Sequence, residues 1–381
     1  MKEKRPYRQQ KTPDKMVFDF PALTQQFQFT GELEDMQPYG SGHINDTYVV
    51  RFRQNGRFHH YILQRINHHI FKHPDRLVDN IAQVTAHIRR KITSEGGNPA
   101  RATVSLIPGV NGAHHAQTPN GEYWRAYHFI EGTHTVQKAP TLAHSYQSGR
   151  AFGKFLRLLA DFPIDRLHIT IPDFHYTPKR LQAFIQSVEK DSCNRAAAVQ
   201  TEIDFVLHRA ADASVIIDLH EQGLMPKRVT HNDTKFENVL IDNAAGEVVC
   251  VIDLDTVMPG FAVFDFGDAV RSGANTAVED EPDISKVNFN VAVFEKLAHG
   301  FLDETRDVLT PIEFDHLAMG AKLITFEQAI RFLGDYINGD TYYKISRPNH
   351  NLDRARTQIK LVADMETQFE QMQQIVDMYR T

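Results

Sequence analysis

The chain has 381 residues, of which 41% are hydrophobic, so it can bury a large core but exceeds one compact unit, and we expect two lobes. Its formal net charge of −6 provides no polybasic face, which argues against nucleic acid as a partner. The cysteines, Cys193 and Cys250, are too few for a disulfide framework and lack metal-binding spacing, which favours a reducing compartment.

The N-terminal segment is basic and polar, and no apolar segment follows it. This composition predicts a flexible tail over residues 1–16 rather than a targeting signal. No uninterrupted apolar segment elsewhere approaches the length that crosses a bilayer. We therefore expect a soluble, cytoplasmic protein without a membrane partner.

A glycine-containing loop follows the tail. Residues 36–53 are predicted to form two strands joined by a turn, with YGSGHINDTY at residues 39–48 in the middle. Gly40 and Gly42 would let the backbone approach a phosphate without a Cβ in the way, and the flanking strands would hold the loop as a lid. An ordinary hairpin turn would have a similar sequence.

The next segments predict the rest of an N-terminal antiparallel sheet and one long helix. Residues 61–63 indicate a strand, and residues 75–91 form a helix with an apolar stripe and a preceding proline. Residues 102–107 and 122–130 are predicted as further strands, joined by a turn-rich connection. From residue 133 onward, helices are predicted to dominate.

The stretch from Arg228 to Asp255 contains the candidate catalytic and metal-binding residues. His231, Asp233 and Asn238 precede two β-type segments joined by an Asn-, Asp- and Gly-containing turn, and the second segment ends on Asp253. The hairpin would bring Asp233, Asn238 and Asp253 to one edge. Their oxygens suit a hard cation such as Mg²⁺, with one carboxylate left to accept a proton from a hydroxyl nucleophile.

The pattern H-x-D-x-x-x-x-N, from His231 to Asn238, resembles the catalytic loop of the protein-kinase-like superfamily. The metal loop, Asp253-Leu254-Asp255, is similar to that of the aminoglycoside phosphotransferase and choline kinase branch. The resemblance implies a bilobal α+β fold whose larger, mostly helical C-terminal lobe carries a catalytic β-hairpin. It implies a nucleotide-binding N-lobe over residues 17–131, a catalytic and acceptor-binding C-lobe over residues 132–381, and the use of ATP and Mg²⁺.

The resemblance also implies catalytic roles, position by position. Asp233 would be the base that positions the acceptor hydroxyl, Asn238 and Asp253 would hold Mg²⁺, and His231 would be a structural brace.

The literal string Asp265-Phe266-Gly267 lies too far beyond Asn238 to be the metal loop. We instead predict that Asp265, Asp268 and Arg271 belong to the start of a helix behind the site, because acids favour the first turn of a helix.

For the nucleotide, the resemblance implies contacts along the N-lobe. The residues are Gly40, Ser41, Gly42, Asn45, Thr47, Arg65, Asp79, His128, Phe129 and Ile130. Arg65 would replace the lysine that binds the α- and β-phosphates in protein kinases, although a surface arginine is the alternative. Asp79 would orient that cation, and backbone groups of residues 128–130 would bind adenine.

The acceptor is predicted to be a small molecule, because only nine residues separate Asp255 from Asp265 and no A-P-E sequence follows. Residues 42–48, 61–67, 230–235, 252–260 and 331–336 resemble the bacterial N-acetylhexosamine 1-kinases. This resemblance implies phosphoryl transfer from ATP to the anomeric hydroxyl of N-acetylglucosamine or N-acetylgalactosamine. Arg331, Asp335 and Tyr336 would contact the sugar, although an ion-pair ladder on the helix surface has the same spacing.

Two other functions stay open. The protein could phosphorylate another small alcohol, such as an aminoglycoside, a choline-like compound or a different sugar, and the acids of residues 279–283 could then bind a cationic acceptor. It could also be a non-catalytic nucleotide-binding module.

Overall fold

In the computed structural model, residues 18–40 and 44–380 are described, and they form an α+β protein. The described residues divide into two compact units. The first consists of residues up to 70 together with residues 106–129, and the second of residues 71–105 together with residues from 130 onward.

The first unit is an antiparallel sheet with the strand order β1-β2-β3-β5-β4, preceded by the short helix α1 (Phe20–Thr24). The strands are β1 (Glu32–Pro38), β2 (Asp46–Gln54), β3 (Arg57–Ile66), β4 (Ala116–Gln117) and β5 (Tyr123–His128). The N-terminal antiparallel sheet predicted from the sequence is confirmed.

One face of this sheet carries the core of the first unit. Because side chains alternate along a strand, every second residue of β2, β3 and β5 points to this face. Its buried residues include Val50, Leu63 and Trp124, each completely or almost completely buried. Residues 18–29 cover the face with aromatic rings, among them Phe18, whose ring centroid lies 5.1 Å from that of Trp124. This face of the sheet is therefore filled.

The strand predicted at residues 102–107 is wrong in position. Asn98 caps the helix α3 (Pro99–Ala102) by accepting a hydrogen bond from the Ala100 amide, and only Leu106 forms an isolated bridge to the sheet. The edge strand is β4, within the segment that we expected to be a connection. Asn followed by Pro is a helix start, which outweighs the β propensity of the residues that follow.

The second unit is mostly helical. Besides α3, its helices are α2 (Pro74–Ser94), α4 (Leu142–Leu158), α5 (Thr177–Lys190), α6 (Gln200–Leu207), α7 (Val215–Glu221), α8 (Ala262–Gly273), α9 (Val291–Thr305), α10 (Pro311–Asp315), α11 (Leu317–Ile337), α12 (His350–Thr367) and α13 (Phe369–Met378). Its strands are β6 (Thr133–His134), β7 (Arg228–Thr230), β8 (Val239–Asp242), β9 (Val248–Val251) and β10 (Met258–Gly260). Among the helices of residues 18–40 and 44–380, none is both long and apolar enough to cross a membrane.

Helix α2, which lies inside the predicted nucleotide-binding lobe of residues 17–131, packs within the second unit. Its buried Asn80 donates to the carbonyl oxygens of His168 (2.8 Å) and Val257 (3.0 Å) and accepts from the His168 amide (2.9 Å). These bonds to the backbone of other segments attach the middle of α2 to the second unit.

Helices α4 and α9 cross with their backbones in contact. A Cβ atom at Gly149 would lie 2.2 Å from the carbonyl oxygen of Leu297, and one at Gly300 would lie 2.0 Å from that of Tyr146. A Cβ at Gly153 would lie 2.6 Å from the carbonyl oxygen of Phe301. No side chain fits at these three positions, so the close crossing depends on glycine.

Candidate active site

A β-hairpin formed by β8 and β9 brings Asn238 and Asp253 together. The strands pair antiparallel with Val239 opposite Val251, and the Ile252 amide donates to the Asn238 carbonyl oxygen at 2.9 Å. Asp253 is the next residue, and its backbone turns to a left-handed conformation with φ of 59°. The ladder therefore ends with Asn238 and Asp253 side by side, as the sequence predicted.

Asp233 lies between an amide and an ammonium group. The Asn238 Nδ2 donates to the Asp233 carbonyl oxygen (2.8 Å) and to its Oδ2 (3.2 Å), and Lys235 Nζ lies 2.9 Å from Oδ1. Burial opposes ionisation of this carboxyl, but the charges of Lys235 and other nearby cations outweigh it and hold the pKa of Asp233 below its usual range. Asp233 is therefore a carboxylate at neutral pH.

His231 is a buried, neutral brace. Its Nδ1 accepts from the Asp233 amide at 3.2 Å, so the ring carries its proton on Nε2, which donates to the Ile252 carbonyl oxygen at 2.9 Å. Burial lowers the pKa of His231. The ring packs against Phe152 and Phe155 of α4. His231 thus joins the catalytic loop, residues 231–238, to the end of β9 and to the α4–α9 crossing.

Asp265 holds the catalytic loop by its backbone. In the first turn of α8, its two carboxylate oxygens accept from the amides of His231 and Asn232, both at 2.7 Å. Burial raises the pKa of Asp265 to about 7, although the two amide donors act in the opposite direction. Asn232 adopts a left-handed conformation with φ of 64°, which this bracing stabilises.

Asp268, one turn further along α8, also binds the backbone of the catalytic loop. Its Oδ2 accepts from the Thr234 amide at 2.8 Å, and its Oδ1 accepts from Arg271 Nε at 2.8 Å. Arg271 in turn donates to Glu279 at 2.8 Å. The string Asp265-Phe266-Gly267 thus lies on a helix behind the loop, as predicted, and its carboxylate binds backbone amides.

The donor set at the end of the hairpin fits Mg²⁺. Asn238 turns its Nδ2 toward Asp233, so its amide oxygen is the atom that can face a cation beside the Asp253 carboxylate. Oxygen donors of this kind are those that Mg²⁺ prefers. The described part of the chain contains no group of three or more His, Cys, Asp or Glu side chains placed to hold a metal. Mg²⁺ uses only one or two carboxylates when it also binds substrate phosphates, so two protein ligands are sufficient.

Of the predicted acceptor residues, two have structural partners. The Asp335 carboxylate accepts from three successive amides, those of residues 341–343, at 2.8–2.9 Å, and from Asn351 Nδ2 at 2.9 Å. Tyr336 is buried under the guanidinium of Arg195, 4.7 Å from its ring centroid. These contacts give Asp335 and Tyr336 the role of shaping the loop after α11.

Arg331 has different surroundings. Its guanidinium lies 5.7 Å from the ring centroids of both Phe174 and Tyr343. One turn away on α11, the buried Glu327 contacts His175 Nδ1 at 2.9 Å, and His175 Nε2 lies 3.2 Å from the Asn232 carbonyl oxygen. Arg331 therefore belongs to a group of aromatic and polar side chains that is linked to the catalytic loop.

The predicted phosphate contact, Arg65, has other partners in the first unit. Its Nε lies 2.7 Å from Asp46 Oδ2, its Nη1 lies 2.8 Å from Glu122 Oε2, and its guanidinium lies 5.7 Å from the Phe18 ring centroid. Arg65 thus points to the filled face of the sheet. Two carboxylates already surround the Arg65 guanidinium, so its contacts offer no support for the predicted phosphate-binding role.

Tyr39, beside the predicted glycine loop, contacts Phe129 of the predicted adenine segment, and both residues belong to the first unit. The Tyr39 amide donates to the Thr47 carbonyl oxygen at 2.9 Å, which closes the loop, and the Tyr39 ring contacts that of Phe129 with centroids 5.7 Å apart. Gly40 has φ of 78°, which favours glycine. Ser41 and Gly42 lie outside the described residues.

The remaining nucleotide candidates are distributed over both units. Asn45 Oδ1 accepts from the Asn67 amide at 2.9 Å, and His128 is the exposed last residue of β5. Ile130 belongs to the second unit, as the first residue of its longer segment. Asp79, also in that unit, accepts from Gln83 at 2.7 Å and lies 3.1 Å from His168 Nε2.

A comparison with protein families finds a match over most of the chain. The model described as "APH: Phosphotransferase enzyme family" matches residues 35–295, well over half of the chain, including the sheet of the first unit and the catalytic hairpin. The chain belongs to this phosphotransferase family.

Solved structures with the fold of this phosphotransferase include several small-molecule kinases. An aminoglycoside phosphotransferase from Alicyclobacillus acidocaldarius has 12% identity and a TM-score of 0.61, and covers 94% of this chain and 96% of its own. A microcompartment-associated aminopropanol kinase has 15% identity and a TM-score of 0.58, with 93% and 97% covered. An ethanolamine kinase from Plasmodium vivax has 14% identity and a TM-score of 0.53, with 86% and 82% covered. At these identities the likeness shows the fold alone.

Lys235 also belongs to this site of the phosphotransferase but was not among the residues predicted for it. Lys235 lies two residues beyond Asp233 on an irregular loop, so no helical or strand periodicity indicates where its side chain points. An opposite charge next to a candidate base was the available signal. The charge of Asp233 raises the pKa of Lys235, so the ion pair persists over the physiological range.

Replacing Lys235 with methionine is expected to raise the pKa of Asp233, because the nearest cation is removed while the burial stays. The acidic limb of the pH profile of kcat/KM should then move to higher pH. Steady-state phosphoryl transfer measured between pH 4 and 9 tests this, with Lys235→Arg as the charge-conserving control. An acidic limb at the same pH in Lys235→Met and wild type would contradict the expectation.

Proposed function

We propose that this phosphotransferase transfers the γ-phosphoryl group of ATP to a sugar hydroxyl, with the anomeric hydroxyl of N-acetylglucosamine or N-acetylgalactosamine as the acceptor. The observation that carries the proposal is the position of Asp233, whose ionised carboxylate lies beside Asn238 at the end of the hairpin. A carboxylate in this place can orient an acceptor hydroxyl and accept its proton.

Four side chains have proposed roles in the phosphoryl transfer. Asp233 aligns the acceptor oxygen for in-line attack and takes its proton as the new P–O bond forms and the bond to the leaving ADP breaks. Asn238 and Asp253 would hold Mg²⁺, which when bound neutralises negative charge on the phosphate oxygens. Lys235 keeps Asp233 ionised and adds a positive charge 2.9 Å from it. Catalysis of this kind consists mainly of positioning and electrostatic stabilisation.

The charges near the catalytic loop favour a neutral acceptor over a cationic one. The acids of residues 279–283, which could have bound a cation, all have partners within the second unit. The pairs are Glu279 with Arg271 at 2.8 Å, Asp280 with Arg347 at 3.5 Å, and Glu281 and Asp283 with Lys286, each at 3.6 Å. Because each of these acids already lies beside a cation, a cationic acceptor would have to compete for it.

The group around Arg331 suits a sugar better. A guanidinium between two aromatic rings combines hydrogen-bond donors with apolar faces, as a hydroxyl-rich ring requires. We therefore keep Arg331 as a proposed acceptor contact and assign Asp335 and Tyr336 to the support of the neighbouring loop.

A panel of acceptors with ATP and Mg²⁺, with products identified by phosphorus NMR, tests the proposal. We expect an anomeric phosphate from N-acetylglucosamine or N-acetylgalactosamine and little product from choline, ethanolamine or aminoglycosides. Phosphorylation of an amino alcohol or of a different hydroxyl would refute the sugar 1-kinase assignment but retain the small-molecule kinase. Nucleotide binding without any product from the panel would favour a non-catalytic module.

A further inference from the structure

The peptide group between Asn232 and Asp233 has a histidine on each side. On its amide side, the Asp233 N–H donates to His231 Nδ1 at 3.2 Å. On its carbonyl side, the Asn232 oxygen lies 3.2 Å from Nε2 of His175. A peptide group is planar, so holding its amide and its carbonyl oxygen fixes its orientation. That orientation sets the direction in which the Asp233 side chain leaves the backbone.

This peptide group follows a backbone conformation that needs support. Asn232 has φ of 64°, in the left-handed region that residues other than glycine rarely adopt. The Asp265 carboxylate accepts from the amides of His231 and Asn232, which precede the peptide group. Asp265 therefore holds the loop as far as the Asn232 amide, and the two histidines hold the peptide group after it.

His175 is itself held by a buried carboxylate on α11. Its Nδ1 lies 2.9 Å from Glu327 Oε1, and Glu327 Oε2 accepts from Thr177 Oγ1 at 2.7 Å. Glu327 is completely buried. Burial opposes ionisation of this carboxyl, but the charge and hydrogen bond of His175, together with the charge of Arg331, hold the pKa of Glu327 below its usual range. The ring of His175 is therefore fixed by an ionised carboxylate.

Both ring nitrogens of His175 face acceptors. Nε2 faces a carbonyl oxygen and Nδ1 faces a carboxylate, and neither of these groups can donate a hydrogen bond. The ring makes both hydrogen bonds when each nitrogen carries a proton, and the Glu327 carboxylate then supplies the opposite charge. The imidazole is thus anchored through one edge and donates to the catalytic loop from the other.

The helix that anchors His175 also carries the proposed acceptor contact. Glu327 and Arg331 lie one turn apart on α11. Phe174, next to His175 in the chain, has its ring centroid 5.7 Å from the Arg331 guanidinium. The acceptor contact and the support of the peptide group before the base therefore share one rigid element.

We propose that His175, anchored by Glu327, is a positioning residue that holds the Asn232–Asp233 peptide group and so directs the Asp233 carboxylate at the acceptor hydroxyl. The inference rests on the proposed function, in which Asp233 is the base. Because His175 acts through the backbone of the catalytic loop, its loss lowers the rate of phosphoryl transfer and leaves nucleotide binding unchanged.

Two substitutions separate the two hydrogen bonds of the ring. The side-chain amide in His175→Gln can donate from the position of Nε2, whereas the shorter one in His175→Asn reaches only the position of Nδ1, beside Glu327. With ATP and N-acetylglucosamine, we expect kcat to fall about 10- to 100-fold in His175→Asn, the effect of a misplaced reacting group, and to stay within about threefold of wild type in His175→Gln. The KM for the acceptor and the Kd for Mg-ADP should stay within about threefold in both variants.

His87→Asn is the matched control. His87 forms a similar histidine–carboxylate pair, with Nε2 2.9 Å from Asp161 Oδ1 and a side chain that is 13% exposed, against 11% for His175. Its described partners, Arg90, Asp161 and Phe162, lie outside the catalytic loop. Loss of such a pair should therefore leave kcat per folded molecule at the wild-type value.

Nitrogen-15 NMR of wild type labelled at histidine addresses the case in which His175→Asn does not fold. The His175 signal, identified by its loss in His175→Gln, should show a proton on Nε2 that exchanges slowly with solvent. This measurement requires neither an acceptor nor turnover, so it tests the contact with the Asn232 carbonyl independently of the proposed function.

Three results would overturn the proposal: wild-type kcat in folded His175→Asn, equal losses of kcat in His175→Asn and His175→Gln, or an Nε2 without a proton in wild type. If the acceptor panel identifies a different substrate, that substrate replaces N-acetylglucosamine in the assay. If wild type transfers phosphoryl to no acceptor of the panel, the proposed function fails, and the Nε2 proton alone decides whether His175 holds the peptide group.

Discussion

Replacing Asp233 with asparagine is expected to lower kcat by about 10²- to 10⁴-fold, the range that a positioned base contributes. Asparagine keeps the size of the side chain and can still accept from Asn238 Nδ2, which lies 3.2 Å from the Asp233 carboxylate. It cannot take the proton of the acceptor hydroxyl. The Kd for Mg-ATP should therefore stay within about threefold of wild type, because the change affects the base and leaves the proposed metal ligands in place.

Single-turnover phosphoryl transfer and calorimetric nucleotide binding, measured on the same samples, test this expectation. Glu237→Gln is the matched control, because Glu237 is an exposed acid of the same loop and has no proposed role. Weakened nucleotide binding with normal turnover in Asp233→Asn would contradict the assignment of Asp233 as the base.

Replacing Asp265 with alanine is expected to have the largest effect on stability. The His231 and Asn232 amides, each 2.7 Å from this carboxylate, would lose their acceptors inside the protein. Each unsatisfied buried donor costs about 1–3 kcal/mol, so the free energy of unfolding should fall by roughly 2–5 kcal/mol. Turnover should fall as well, because the left-handed conformation of Asn232 loses its support.

Urea unfolding of wild type, Asp265→Ala and Asp265→Asn separates the loss of the hydrogen-bond acceptors from the loss of the ionisable carboxyl. The asparagine variant keeps one acceptor oxygen and should fall between the other two. Burial raises the pKa of Asp265 to about 7 in the folded protein, against about 4 for a free carboxyl, so the folded state binds more protons between these values. Wild type should therefore lose stability as pH rises from about 4 to 7, and Asp265→Asn should show a smaller loss. Equal stability of wild type and Asp265→Ala at every pH would contradict the bracing role.

The arrangement of the hairpin was predictable because it depends on local sequence. Strand pairing across a short turn fixes which residues end side by side, so the positions of Asn238 and Asp253 followed from the chain itself. The role of Asp265 was not predictable in this way. Its carboxylate binds backbone amides of the catalytic loop, and since every residue except proline carries such an amide, no side-chain pattern reveals the partner.

The contacts of Arg65 depend on the face of the sheet to which its side chain points. Shifting the alignment by one residue moves a side chain to the other side of a sheet, and one sequence does not show which side the core occupies. The covering segment, residues 18–29, settles it in the structure by placing Phe18 over the Arg65 side. Similarly, the resemblance implied sugar contacts for both Arg331 and Asp335, whereas the Asp335 carboxylate accepts from amides of the next loop.

The glycine-dependent crossing of α4 and α9 bears on how this enzyme could be altered. His231 packs on Phe152 and Phe155 of α4, so even a small displacement of that helix would be transmitted to the catalytic loop and Asp233. Laboratory evolution toward new acceptors should therefore hold Gly149, Gly153 and Gly300 constant and direct diversity to the surroundings of Arg331. We expect variation around Arg331, the proposed acceptor contact, to change acceptor recognition, and variation at the crossing to displace the catalytic loop for every acceptor.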